Sequence, residues 1–182
     1  DTGDTGKKPW PEAIITHTLH DISFDRSGNH LHYAQITNLP EEKIKVIFVP
    51  SYLKGNDGIF DLPYYDVLIG MDVTVFASYY EPWGYTPLES TAFGIPTITT
   101  DLSGFGRWVQ NVQPDTSLEK GVEVLHRTDS NFEEVAEKIA QQLEKFSHWD
   151  EKQRQAASQA ASTLAKQAEW ENFIQYYLQA YD

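Results

Sequence analysis

From residue 73 to 96 the chain reads VTVFASYYEPWGYTPLESTAFGIP, and that stretch leaves few folds open. The apolar run at 73–77 has the β-branched content and the brevity of a strand. Pro87 suits the first turn of a helix, where its missing N–H loses no partner, and Thr86 is placed to cap it. The pattern predicts a strand, a turn and a helix that opens near Thr86 and runs toward Phe93 or Gly94. The amides of Gly84, Tyr85 and Thr86 then stand at the positive end of that helix, where unpaired donors and the dipole favour a phosphate. Glu81 falls in the loop and Glu89 about one turn into the helix, so the two acids reach hydroxyls on opposite sides of a bound diphosphate. Recognition of a nucleotide sugar needs that layout. Taken alone, the same two acids are equally a solvated loop acid and a helix-start acid complementing the dipole.

Strand and helix signals alternate around this stretch. AIITH at 13–17 reads as a first strand, residues 31–39 as a short helix, and KVIFV at 45–49, ending at Pro50, as a strand buried on both faces of a parallel sheet. A loop carrying Gly55, Asn56, Asp57 and Gly58 precedes a helix expected over 62–71, with Pro63 at its start and Val67, Leu68 and Met71 on its apolar face. After the central helix come a strand at 97–99, a Gly-rich turn over 103–106, a helix through Trp108 and Val109, and a strand at 122–125. The last third is helical. Ser130 and Glu133 form a capping box beside Phe132, Val135, Ile139, Leu143 and Phe146, and Trp170, Phe173, Ile174, Tyr177, Leu178 and Tyr181 keep a helical period. The alternation predicts an α/β fold, a Rossmann-like open parallel sheet with helices on both faces. Ligands of such sheets bind beyond the carboxyl ends of the strands, where the loops after Val49, Ala77 and Thr99 emerge. Residues 1–12 have the composition of a linker or a cut end, and 13–182 read as one domain.

Composition narrows the partners. Fourteen Lys and Arg against 27 Asp and Glu give a net charge of −13. That balance, with no basic run, disfavours nucleic acid. There is no cysteine, hence neither a disulfide framework nor a thiolate metal site, which fits a reducing compartment and makes the cytoplasm the expected location. No apolar run approaches the ~18 residues of a membrane span, and no secretory leader is visible, so no membrane association is expected. The start at Asp1, without Met, reads as a fragment. His17, His20, His30 and His32 suggest a metal only in passing, since no acid completes a ligand set; no metal is expected.

Glu81 and Glu89, separated by seven residues, with EPWGYTP starting at Glu81, Gly94-Ile95-Pro96 after Glu89, and Leu102-Ser103-Gly104-Phe105-Gly106 beyond, closely resemble the donor-binding motif of glycogen synthases of the animal and fungal type. The resemblance covers roughly residue 14 to the end and is densest over 43–108. It implies the C-terminal, donor-binding half of a retaining GT-B glycosyltransferase, with the acceptor-binding N-terminal half absent from this chain. In that family the acid matching Glu81 contacts the transferred glucose and is essential for transfer. The one matching Glu89 binds the ribose, and the backbone at Gly84, Tyr85 and Thr86 holds the distal phosphate. Tyr64 stacks on the base with Tyr52 beside it, although both are equally plain packing residues. Trp83 belongs to the set as a shaper of the loop, and Ser103 and Gly104 line the cleft or cap the next helix.

The resemblance implies a glucosyltransferase that extends an α-1,4-glucan from UDP-glucose or ADP-glucose, without metal or other cofactor. The partners it implies are the nucleotide sugar and a glucan held by the missing half, with a homo-oligomer left open. Another retaining GT-B enzyme with a different sugar or acceptor, and a nucleotide-sugar-binding module without turnover, remain alternatives. Two departures matter. The family's diphosphate-neutralising Arg and Lys lie upstream of this chain, so it is expected to be inactive alone. The family's arginine-rich helix, which senses glucose 6-phosphate, is matched by residues 151–166, where only Lys152, Arg154 and Lys166 are basic; that regulation is expected to be absent.

Overall fold

The computed structural model describes residues 24–181. The strand expected at 13–17, with His17 and His20, lies outside them. The chain divides at Val67/Leu68 into two compact units.

In the first unit, helix α1 (Arg26–Tyr33) is set by Asp25, whose carboxylate accepts from the Gly28 amide. It starts and ends earlier than the helix expected over 31–39, because Gln35 and Asn38 adopt φ of 55° and 59°, which no helix continues through. Among the described residues, 45–49, expected as a strand, pair with no strand. Asn38 supplies the reason: its side-chain carbonyl accepts from the Val46 amide at 2.9 Å and its NH2 donates to the Val46 carbonyl at 2.7 Å. One side chain thus satisfies both backbone groups of Val46, within the expected ladder. A bridge between Lys54 and Pro63 closes the loop over 55–62, and Asp57 organises that loop from inside. Its buried carboxylate accepts from the amides of Ile59, Phe60 and Asp61. Helix α2 (Tyr64–Leu68) follows Pro63 and is shorter than the expected 62–71, ending in a turn closed by the Met71 amide on the Leu68 carbonyl.

The second unit is the predicted open parallel sheet, with strands β1 (Thr74–Val75), β2 (Thr97–Thr100) and β3 (Val122–Leu125) in that spatial order. Register pairs Ile98 with Glu123 and Thr97 with Val122. The two-residue alternation therefore sends Ile98 and Leu125 to one face and Val122 and Val124 to the other. On the first face they pack with Val135 and Phe146 of α5 (Phe132–Ser147) and with Trp149. On the second they meet Phe105 and Val109 of α4 (Gly104–Val112) and Leu164 of α6 (Glu151–Lys166). Phe105, Val109 and Val122 are fully buried, each such side chain contributing about 1.5–3 kcal/mol by leaving water. Helix α6 comes close because it presents Ala157, Ala161 and Ala165; a Cβ on Gly121 would stand 2.4 Å from the Ala161 nitrogen. Helix α7 (Trp170–Tyr181) ends the described chain.

Strand β2 is unusual in being both fully buried and rich in threonine. Every hydroxyl is paired. Thr97 bonds Ser90 and the Ile95 carbonyl, Thr99 lies 3.3 Å from the Ser103 hydroxyl, and Thr100 donates to the Ser78 carbonyl at 2.6 Å. One expected cap falls elsewhere. Helix α5 starts from Asn131, which bonds the Thr128 amide and the His126 carbonyl, rather than from a Ser130–Glu133 box. A reciprocal capping box that sequence reading overlooked, Asp150 with Gln153, opens α6.

Candidate functional site

Beyond the carboxyl edge of the sheet, the loop after β1 and the loop after β2 are stitched together. The Glu81 amide donates to the Leu102 carbonyl at 3.2 Å, and the Gly104 amide donates to the Glu81 carbonyl at 3.1 Å, so that Glu81 and Ser103 form an isolated parallel bridge. One residue on, the Phe105 amide donates to the Trp83 carbonyl at 2.6 Å. The first two amides of α4 are thus spent on the loop that carries Glu81. Ser103 spends its side chain the same way. Fully buried, it accepts from the Gly106 amide and donates to the Thr100 carbonyl, both at 3.0 Å, so its hydroxyl serves the cap and not an open cleft.

Helix α3 (Tyr85–Ala92) begins differently. Its cap is Gly84, not Thr86, in a left-handed conformation (φ 112°, ψ 70°) that brings no capping side chain. Pro87 stands in the first turn and has no N–H, and the amides of Gly84, Tyr85 and Thr86 have no acceptor among the described residues. Two helix starts therefore meet the same loop, one closed by carbonyls and one open. The open one is where an anion finds unpaired donors and the positive end of a dipole.

The loop's acid is fixed at one oxygen. Ser78 donates its hydroxyl to Glu81 Oε2 at 3.0 Å, and Glu81 is half-buried. Glu89, also half-buried, lies in the second turn of α3. Trp83 is held away from any platform role, its ring packed on Phe173 (5.4 Å between centroids), Trp108 (6.2 Å) and Phe105 (6.3 Å). Within the first unit, the Tyr64 amide donates to the Leu53 carbonyl, which brings the backbones carrying Tyr52 and Tyr64 side by side. Tyr52 is exposed with the Lys54 ammonium 5.8 Å from its ring centroid, and Tyr64 is half-buried with its ring 5.3 Å from Tyr65.

A second group of residues at the carboxyl edge escaped sequence reading. Asp101 accepts from the Arg127 amide at 2.9 Å and contacts His126 Nδ1 at 2.5 Å, while Arg107 Nε donates to the Asp101 carbonyl. Arg127 reaches across to donate to the Ala77 carbonyl at 3.2 Å, with its guanidinium 5.3 Å from the Tyr79 ring centroid. The Tyr79 hydroxyl donates to Asp129, a hydrogen bond that holds its phenol above the ordinary range. These contacts join residues 26 and 50 positions apart, beyond the reach of any local pattern.

An open parallel α/β sheet with helices on both faces, and an unsatisfied helix start beyond its carboxyl edge, is the Rossmann-like class of domain from which GT-B glycosyltransferases are built. The family model for glycogen synthase matches residues 6–182. The chain belongs to the glycogen synthase family. It is 32% identical over 96% of its length to glycogen [starch] synthase isoform 1 of Saccharomyces cerevisiae, and 36% identical over 90% to glycogen [starch] synthase of Caenorhabditis elegans. The corresponding protein of Neurospora crassa is 31% identical over 92%. The chain spans about a quarter of each relative's length (25%, 24% and 24%).

Proposed function

We infer that this chain is the donor-binding domain of a retaining glucosyltransferase, which moves glucose from UDP-glucose or ADP-glucose onto the non-reducing end of an α-1,4-glucan. The observation that carries the reading is the open start of α3 beside Glu81: three unpartnered amides for a diphosphate, and a loop acid with one oxygen held by Ser78. Family membership supplies the sugar and the acceptor. In this reading Glu81 contacts the glucose and Glu89 the ribose. Trp83, Ser103 and Gly104 shape the loops that hold those groups and do not touch the donor.

The chemistry is positional and electrostatic. The bond from glucose C1 to the diphosphate breaks while the acceptor oxygen bonds C1 on the same face, through an oxocarbenium-like centre, and the acceptor hydroxyl's proton passes to the departing phosphate oxygen. Amides of α3 stabilise the departing diphosphate. With a net charge of −13, this domain depends on cations supplied by the rest of the enzyme, as it depends on that part to hold the glucan. No metal enters the scheme. The cytoplasm fits the absence of cysteine, and no described helix is long and apolar enough to cross a membrane.

The test uses the full-length protein, with glycogen as acceptor and labelled UDP-glucose or ADP-glucose as donor, comparing wild type with Glu81→Ala. Incorporation that falls by about 100-fold or more in the variant, at unchanged thermal midpoint, is expected. Absence of incorporation from both donors by wild type would remove the glucan synthase reading.

A further inference from the structure

A loop acid acts on a ligand only as well as its side chain is aimed. The backbone of Glu81 is clamped on both sides, by the Leu102 carbonyl and the Gly104 amide, but those bonds leave the carboxylate free to rotate. Ser78 removes that freedom. Its hydroxyl donates to Glu81 Oε2 at 3.0 Å, whereas no described group donates to Oε1. A Cβ built on Gly84 would stand 3.4 Å from Oε2, in ordinary van der Waals contact, so Oε2 lies against that turn.

Ser78 is itself no ordinary loop residue. Its carbonyl accepts from Thr100 at 2.6 Å and its amide donates to the Phe76 carbonyl at 2.8 Å. The preceding carbonyl, of Ala77, accepts from Arg127, and the following ring, of Tyr79, lies under the same guanidinium. Strand β2 and the segment after β3 therefore hold Ser78 from two directions, and Ser78 holds Glu81.

We propose that Ser78 is the positioning residue of the transfer site. Its charge-assisted bond to Oε2 fixes the rotamer of Glu81 and leaves Oε1 as the oxygen that receives a hydroxyl of the donor glucose. The proposal rests on the reading of Glu81 as the acid that contacts that glucose. A misaimed carboxylate still allows the nucleotide to bind through the α3 amides, so the cost falls on turnover and not on donor affinity.

The experiment is steady-state kinetics of the full-length protein with UDP-glucose and glycogen, for Ser78→Ala, Ser78→Thr and Glu81→Ala. Ser78→Ala is expected to lower kcat about 10- to 100-fold while KM for UDP-glucose stays within about threefold. Ser78→Thr, which keeps the hydroxyl, recovers most of the loss, and the thermal midpoint of each variant stays near that of wild type. A kcat for Ser78→Ala within about twofold of wild type, with Glu81→Ala inactive, overturns the proposal, as does a rise in KM at constant kcat. Full activity in Glu81→Ala overturns the underlying reading instead.

Discussion

The Gly104 amide donates to the Glu81 carbonyl at 3.1 Å, and this bond joins the two loops on which the site is built. It requires the two backbones to touch. A Cβ on Gly104 would lie 2.2 Å from the Pro82 carbonyl oxygen and 3.0 Å from the Trp83 Cα. Gly104→Ala therefore pushes the Glu81 loop off α4. A loss of about 2–3 kcal/mol is expected, read as a fall of ~5–10 °C in thermal midpoint. A midpoint unchanged from wild type would show that the loops are not in this contact.

Gly84 separates fold from binding more cleanly. Its φ of 112° is open to glycine and strained for alanine, whose Cβ would come within 3.3 Å of Phe105 Cβ and 3.1 Å of Pro87. Gly84→Ala is expected to weaken UDP binding to the full-length protein about tenfold, measured calorimetrically, with about 1–2 kcal/mol of stability lost to backbone strain. Tight UDP binding in this variant would place the diphosphate elsewhere.

Asp57 gives a pH signature in the first unit. The Phe60 amide, first among several backbone donors, holds its carboxyl below the ordinary aspartate value. A depressed folded value means stabilisation that is complete above the unfolded value and lost as pH falls through the folded one. The amide resonances of Ile59, Phe60 and Asp61 are expected to shift together only below about pH 4, with their exchange accelerating in step. Titration nearer the ordinary glutamate range would contradict the nest.

Glu123 behaves oppositely. Lying on β3 with Glu119 and Asp115 nearby, it is raised above the usual value, first by burial and then by those like charges. A raised folded value favours the protonated acid, so the cost to the fold sets in as pH rises through the unfolded value and is complete above the folded one. Glu123→Gln should raise the thermal midpoint at pH 7 by ~1–2 °C and leave it unchanged near pH 4. A lower midpoint at pH 7 would mean that the carboxylate has a stabilising partner.

The central stretch was legible because it is local: a short apolar run, Gly84, Pro87 and two acids at fixed spacing specify strand, turn and helix without distant help. Its cap was misread because Thr86 satisfies the usual preference, whereas here the amides stay open and glycine makes the turn. The strand expected at 45–49 pairs with no described strand for a reason outside the hydrophobic pattern, the Asn38 amide occupying Val46. Arg127 and Asp101 were invisible because their partners lie in the segments that follow other strands. Ser78 sat in plain view three residues before Glu81, but only its capture by Thr100 distinguishes it from any polar loop residue.

Strand β2 has a consequence for anyone seeking a sturdier version of this domain. Replacing its buried threonines with valine would keep the β-branched shape, remove polar atoms from the interior and improve the sheet by ordinary design criteria. Each hydroxyl, however, addresses a different neighbour: Thr97 reaches Ser90 on α3, Thr99 the Ser103 cap of α4, and Thr100 the loop that holds Glu81. A valine strand would be a stronger beam with its guy wires cut. Each valine would also leave a buried partner unsatisfied, so the fold and the aim of Glu81 would weaken together.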